Sequence, residues 1–128
     1  MGAYATGGPL NARGYVAGVV NLADHTVAYN LLALIQAQID ANANGAAYEL
    51  QLQSDATGSV YIGSAKNLVG VLSTTNYGYV LPIAAAGPPL VPSTKVYRSS
   101  FPGSHCPLGD IWILGSADNT KLHVELFG

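Results

Sequence analysis

The sequence predicts a mainly β fold, a small antiparallel β-sandwich or barrel of jelly-roll type with one α-helix in its N-terminal third. Three observations predict it. Apolar residues alternate with polar ones in short runs, as in Tyr48-Glu49-Leu50-Gln51-Leu52-Gln53 and Lys121 to Phe127, and a period of two puts each apolar set on one face of a strand. Turn-forming clusters punctuate those runs, at Asp55-Ala56-Thr57-Gly58, at Ser73-Thr74-Thr75-Asn76 and from Ser116 to Thr120. Only one stretch, following Asp24, has apolar residues at helical spacing.

Met1 to Ala12, with Gly7-Gly8-Pro9, lacks apolar periodicity and reads as an extended arm able to reach a neighbour; residues 13–128 form one β-rich domain. From Arg13 to Leu22, Val16, Gly18, Val20 and Leu22 alternate with Tyr15, Ala17, Val19 and Asn21. This first strand is apolar on both faces, so burial on both sides or at an interface is expected. Asp24-His25-Thr26 supplies helix-start chemistry, because a side-chain oxygen there can accept a first-turn N–H. Val27, Leu31, Ile35 and Ile39, widened by Leu32 and Leu34, then predict a helix from about 27 to 41, ended by Asn42-Ala43-Asn44-Gly45.

Gly58 to Ala84 reads as the central pairing unit. Val60 and Ile62 point to the core, Tyr79, Leu81 and Ile83 repeat the pattern, and Gly78 offers a position tolerant of positive φ. Ala84 to Pro92 is rich in Gly and Pro and reads as an edge or covering loop, since proline cannot donate to a ladder. Lys95 to Phe101 is a further short strand, Pro102 to Pro107 a loop and Asp110 to Gly115 a strongly apolar strand. In the last strand Leu122, Val124 and Leu126 face the core, and Lys121, His123 and Glu125 form a solvated or cross-strand-paired face.

Charged residues make up 9% of the 128 residues, against about a quarter in an average soluble domain. A surface so poor in charge is expected to be covered by other subunits, where charge is depleted and tyrosine enriched; a homo-oligomer follows, with a trimer among the options. The five cations Arg13, Lys66, Lys95, Arg98 and Lys121 are scattered and the formal net charge is -2, which provides no footprint for direct nucleic-acid binding. The start of the chain has neither the basic region nor the apolar run of a signal peptide. The longest apolar stretch, Val80 to Pro92, is interrupted by four prolines and a glycine, so no membrane span is expected. Cys106 stands alone, excluding an intrachain disulfide, and reads as a structural thiol.

Ser104-His105-Cys106 with Asp110 brings nucleophile, base and carboxylate types close in sequence, but catalytic groups must meet at hydrogen-bond distance and commonly arrive from separate segments. No nucleophile elbow, phosphate loop, H-E-x-x-H or Cys-x-x-Cys pattern occurs. His25, His105 and Cys106 lack zinc-site spacing. The reading is therefore non-enzymatic, without catalytic residues, cofactor or metal. Tyrosine is the more informative type, and the interface candidates are Tyr4, Pro9, Tyr15, Tyr61, Tyr77, Tyr79 and Trp112.

The runs Gly58 to Gly63, Leu72 to Leu81, Asp110 to Ser116 and Lys121 to Leu126 give a texture of short strands, Gly- and Ser/Thr-rich turns, few charges and many tyrosines. From Tyr48 to Leu126 this resembles the small β-rich accessory structural proteins of tailed-bacteriophage virions. The resemblance implies a virion component, specifically a capsid cement or decoration protein whose partner is the major capsid protein. Alternatives are a neck, tail or fibre component, or a carbohydrate-binding adhesin using exposed Tyr or Trp112.

Overall fold

The computed structural model describes residues 15–64, 72–84, 93–98 and 106–128. The strands are β1 (Tyr15–Leu22), β2 (Tyr29–Asn30), β3 (Ala46–Ala47), β4 (Glu49–Gln53), β5 (Val60–Gly63), β6 (Tyr79–Leu81), β7 (Thr94–Arg98), β8 (Cys106–Pro107), β9 (Trp112–Gly115) and β10 (Thr120–Phe127). One helix, α1 (Leu31–Gln38), follows β2, and a 3-10 turn covers Leu108–Asp110. Two four-stranded sheets, ordered β1-β10-β4-β7 and β2-β9-β5-β6, and the small pair β3-β8 are antiparallel throughout. The arrangement is sandwich-like; among the described residues the sheets do not close into a barrel.

The period-two pattern explains the core. Val16, Val20 and Leu22 of β1, Leu50 and Leu52 of β4, and Leu122, Val124 and Leu126 of β10 are buried on one face of the first sheet. They pack in one cluster with Val60, Ile62, Leu81 and Ile113 of the second sheet and with Leu31, Leu34 and Ile35 of α1. Each such large side chain contributes about 1.5–3 kcal/mol on leaving water. The predicted pairing of the central unit is present, with Val60 opposite Leu81 and Ile62 opposite Tyr79, and β9 flanks β5 on its other side.

The chain passes between the sheets twice at one corner, through the turn after β4 and the turn after β9. Asp55 bridges Gly58 in the first turn. Ser116 N donates to Ser59 O at 2.9 Å and Ser59 N to Ser116 Oγ at 2.8 Å, while Lys121 N donates to Thr57 Oγ1 at 2.8 Å. Thr120 is wholly buried beside Gly58 and Gly115, its hydroxyl donating to Ala117 O at 2.7 Å. Asn119, at φ 60°, occupies the left-handed region that asparagine tolerates.

Several local expectations are corrected. The helix begins four residues later than predicted. Asp24 spends its carboxylate on Thr26, accepting from its N and Oγ1 at 2.8 and 2.6 Å, a local turn that competes with capping. Asn30 is the cap instead, accepting from Ala33 N at 3.2 Å, and Val27 is left exposed. At the other end Ile39 and Asp40 both donate to Ile35 O, so α1 stops before Ala41. Tyr79 and Ile83 are exposed, unlike Leu81, because β6 ends at Leu81 on the sheet margin. Gly78 does not use positive φ; a Cβ there would lie 3.3 Å from Ile62 O, and its N–H donates to that oxygen at 2.7 Å. Asp110 closes the 3-10 turn ahead of β9, and Cys106-Pro107 pairs with Ala46-Ala47 where a loop was expected. The arm, the Gly/Pro segment from 85 to 92, and Ser104 and His105 lie outside the described residues.

Candidate protein-interaction surface

β1 was expected to be buried on both sides or at an interface, and within the chain only one face is covered. Val16, Val20 and Leu22 turn into the core, whereas Tyr15, Ala17 and Val19 look outward. The register across the sheet aligns outward side chains in rows: Tyr15, Phe127, Glu49 and Arg98; Ala17, Glu125, Gln51 and Val96; Val19, His123, Gln53 and Thr94. Four large apolar groups on this outer face stay open, Tyr15 at 51%, Val19 at 45%, Val96 at 38% and Phe127 at 38% exposure. They flank a shallow depression of about 250 Å³ lined by Tyr15, Val19, Gln51, Gln53, His123 and Glu125.

The charges on this face are already partnered. The Tyr15 hydroxyl donates to Glu125 Oε2 at 2.5 Å, and its ring packs on Phe127 with centroids 5.1 Å apart. That hydrogen bond, helped by burial and by the carboxylate's charge, raises the Tyr15 pKa. Arg98 Nε donates to Glu49 Oε1 at 3.1 Å, Lys121 Nζ to Asn21 Oδ1 at 2.7 Å, and His123 Nε2 lies 2.8 Å from Asp55 Oδ2. Burial is the largest influence on Asp55 and opposes ionisation, but the hydrogen bonds from Thr57 and His123 together outweigh it and hold its pKa low. Each of these charges has a hydrogen-bond partner, and Glu49 with Arg98 pairs opposite charges. Glu125 and Lys121 are held by a phenol and an amide, and Lys121 sits near the start of β10, at the margin of the face, where a partner can leave it in water.

The remaining predicted residues do not converge on that face. Tyr61 meets Tyr77 edge-on at 5.0 Å on the outer side of the second sheet, and Trp112 sits half-buried opposite Gly63 and Asn30. Tyr79 lies at the open seam between the sheets, where β7 turns Lys95 and Tyr97 toward β6. The Lys95 ammonium stands 4.7 Å from the Tyr79 ring and 5.1 Å from the Tyr97 ring, in a cleft of about 370 Å³ shared with Ile62, Gly63, Gly78 and Ile111. Burial, then the Tyr79 hydroxyl, raises the Tyr97 pKa. Tyr4 and Pro9 lie outside the described residues.

No family model, curated protein or solved structure matches the chain.

Chemistry elsewhere is sparse among the described residues. At the sheet corner His25 Nδ1 lies 2.7 Å from Asp118 Oδ1, and with Asp24 these three exposed groups place ligand-type atoms within 4.8 Å of one another. The hydrogen bond to Asp118 raises the His25 pKa; bonds from His25 lower that of Asp118, and bonds from Thr26 lower that of Asp24. Cys106 is buried, and burial followed by the Glu49 charge pushes its thiol pKa up, away from the reactive thiolate. Asp110 is exposed. Sequence reasoning placed Val19 with Tyr15 in one apolar set but missed Gln51, Gln53, Val96 and Phe127 as their surface partners. The signal was the second apolar set of β1, taken together with a register that only the fold supplies.

Proposed function

We propose that the protein is a non-enzymatic structural component of a virion, a capsid cement or decoration protein that binds major capsid subunits through the outer face of its first sheet. The observation that carries this is the set of open Tyr15, Val19, Val96 and Phe127 on a face whose charged groups each have a hydrogen-bond partner within the chain. The charge-poor composition and the resemblance in texture to tailed-phage accessory proteins point to a shell as the partner. Its mechanism is added buried area: a standard interface covers about 800 Å² per partner, and contacts bridging neighbouring subunits must be broken before the shell opens. Shells lacking the protein are expected to rupture at lower temperature. Val96→Glu, at the end of the face far from β1, is expected to abolish binding to shells while the purified chain stays folded. Unchanged shell stability, or full binding by that variant, would refute the reading.

The seam favours a second reading. Two tyrosines around a cleft suit stacking on sugar rings, so a carbohydrate-binding adhesin would act at Tyr79 and Tyr97; a glycan array without hits rejects it. A neck, tail or fibre location is separated from cementing by copy number per particle.

A further inference from the structure

The two outer edges of the first sheet are built differently. On β7, Lys95 points inward and Arg98 lies near the end of a five-residue strand, devices that blunt an edge against pairing. β1 has eight residues, with no charge, no proline and an uninterrupted register against β10. Its open side can be read from one contact. Gln38 Oε1 accepts from Asn21 N at 2.7 Å and Gln38 Nε2 donates to Asn21 O at 3.2 Å, so the Asn21 main chain faces away from β10. Because peptide groups alternate sides along a strand, the N–H and C=O of Val19, Ala17 and Tyr15 face the same open side. Gln38 covers Asn21; among the described residues nothing covers the other three.

We propose that this edge pairs antiparallel with β1 of a second copy about a two-fold axis at Ala17, joining two first sheets into one eight-stranded sheet. Ala17 would oppose Ala17 of the second copy, and Tyr15 would oppose Val19, each pair exchanging both N–H···O bonds. A two-fold axis at Ala17 brings two copies of the same strand side by side, so any charge on it would be duplicated within the contact; β1 has none. The nearest carboxylate on the outer face, Glu125, sits one strand inside, so the two copies of it would lie about three strand spacings, roughly 14 Å, apart and beyond a Debye length. On that face Tyr15 would gain Val19 as a cross-strand neighbour, an aromatic with β-branched pair of the stabilising kind. Gln38 ends the pairing at Asn21 and fixes the register. The dimer is expected whether or not the protein sits on a shell; a strand-only contact is smaller than a standard interface, so micromolar association is expected.

The test combines sedimentation of the full chain across micromolar concentrations with residue-resolved amide exchange. In the dilute monomer the amides of Tyr15, Ala17 and Val19 exchange fast and those of Val16, Gly18 and Val20 slowly; at high concentration all six are slow. Ala17→Pro removes an N–H that the ladder to β10 does not use, as prolines on edge strands do. Val19→Lys, at an already exposed position, gives an edge charge without touching the backbone. Each is expected to weaken association by at least about tenfold. The proposal is overturned by a chain that stays monomeric at high concentration. It is equally overturned by a dimer unaffected in both variants, or by amides of Ala17 and Val19 already protected when dilute, which would mean that another segment covers the edge.

Discussion

Adding one methyl group at Gly115 tests the corner where the chain crosses between sheets. A Cβ built there would stand 2.8 Å from Thr120 Cβ, 2.9 Å from Thr120 Oγ1 and 3.3 Å from Ala117 O. Neither neighbour can rotate away: Cβ is fixed to the backbone of β10, and the hydroxyl is held by Ala117. Gly115→Ala must therefore shift backbone, and overpacking of this kind costs about 1–3 kcal/mol. At about 4 °C per kcal/mol for a domain of this size, the melting temperature should fall by roughly 4–12 °C. Two other glycines calibrate the reasoning. At Gly18 the added atom meets Ile39 Cγ1 at 2.9 Å, within a side chain that can change rotamer, so Gly18→Ala should cost less. At Gly45 the nearest atom is Leu32 Cδ2 at 3.5 Å, an ordinary contact, so Gly45→Ala should be neutral or stabilise by up to about 1 kcal/mol through the unfolded chain. Calorimetry on the three variants reads the order directly. Equal melting temperatures for Gly115→Ala and Gly45→Ala would refute the packing of this corner.

Ser54, wholly buried, donates to Pro82 O at 2.7 Å and accepts from Ser93 N at 3.3 Å, tying β4 to the segments after β6 and before β7. Ser54→Ala should cost about 1–3 kcal/mol in urea unfolding. His25 has a pKa raised by Asp118, so its contribution to stability is complete below the ordinary value of about 6.5 and is lost as pH rises through the raised folded value. Asp118, with its pKa lowered, contributes above about 3.9 and loses that as pH falls through its depressed value, so the pair acts in the window between. An NMR titration should show the His25 midpoint falling toward its ordinary value in Asp118→Asn; an unmoved midpoint would count against the pair. Cys106 should react with a thiol reagent at least about tenfold more slowly in the folded chain than in urea, and equal rates would mean an accessible thiol.

The strands were legible wherever one face meets the core and the other meets water, as in β4 and β10, because alternation then reports burial directly. Turns carried by Asp55 to Gly58 and Ser73 to Asn76 were legible for the same local reason: their side chains and backbones close on themselves. Helix boundaries were not. Asp24 and Asn30 are both competent caps, and Asn30 prevails because it also donates to Gly109 O at 2.7 Å, a contact distant in sequence. The interaction surface was half legible. Tyr15 and the doubly apolar β1 were visible, but Val96 and Phe127 become its neighbours only through pairing β1 with β10 and β4 with β7. Clustering by residue type also grouped Tyr61, Tyr77 and Tyr79 with Tyr15, although the fold sends them to another sheet and to the seam.

Copy number tests the central claim most directly. Quantitative mass spectrometry of purified particles should find this chain in a ratio near one to the major capsid protein, as a shell-covering cement requires. A handful of copies per particle, or none, would contradict it.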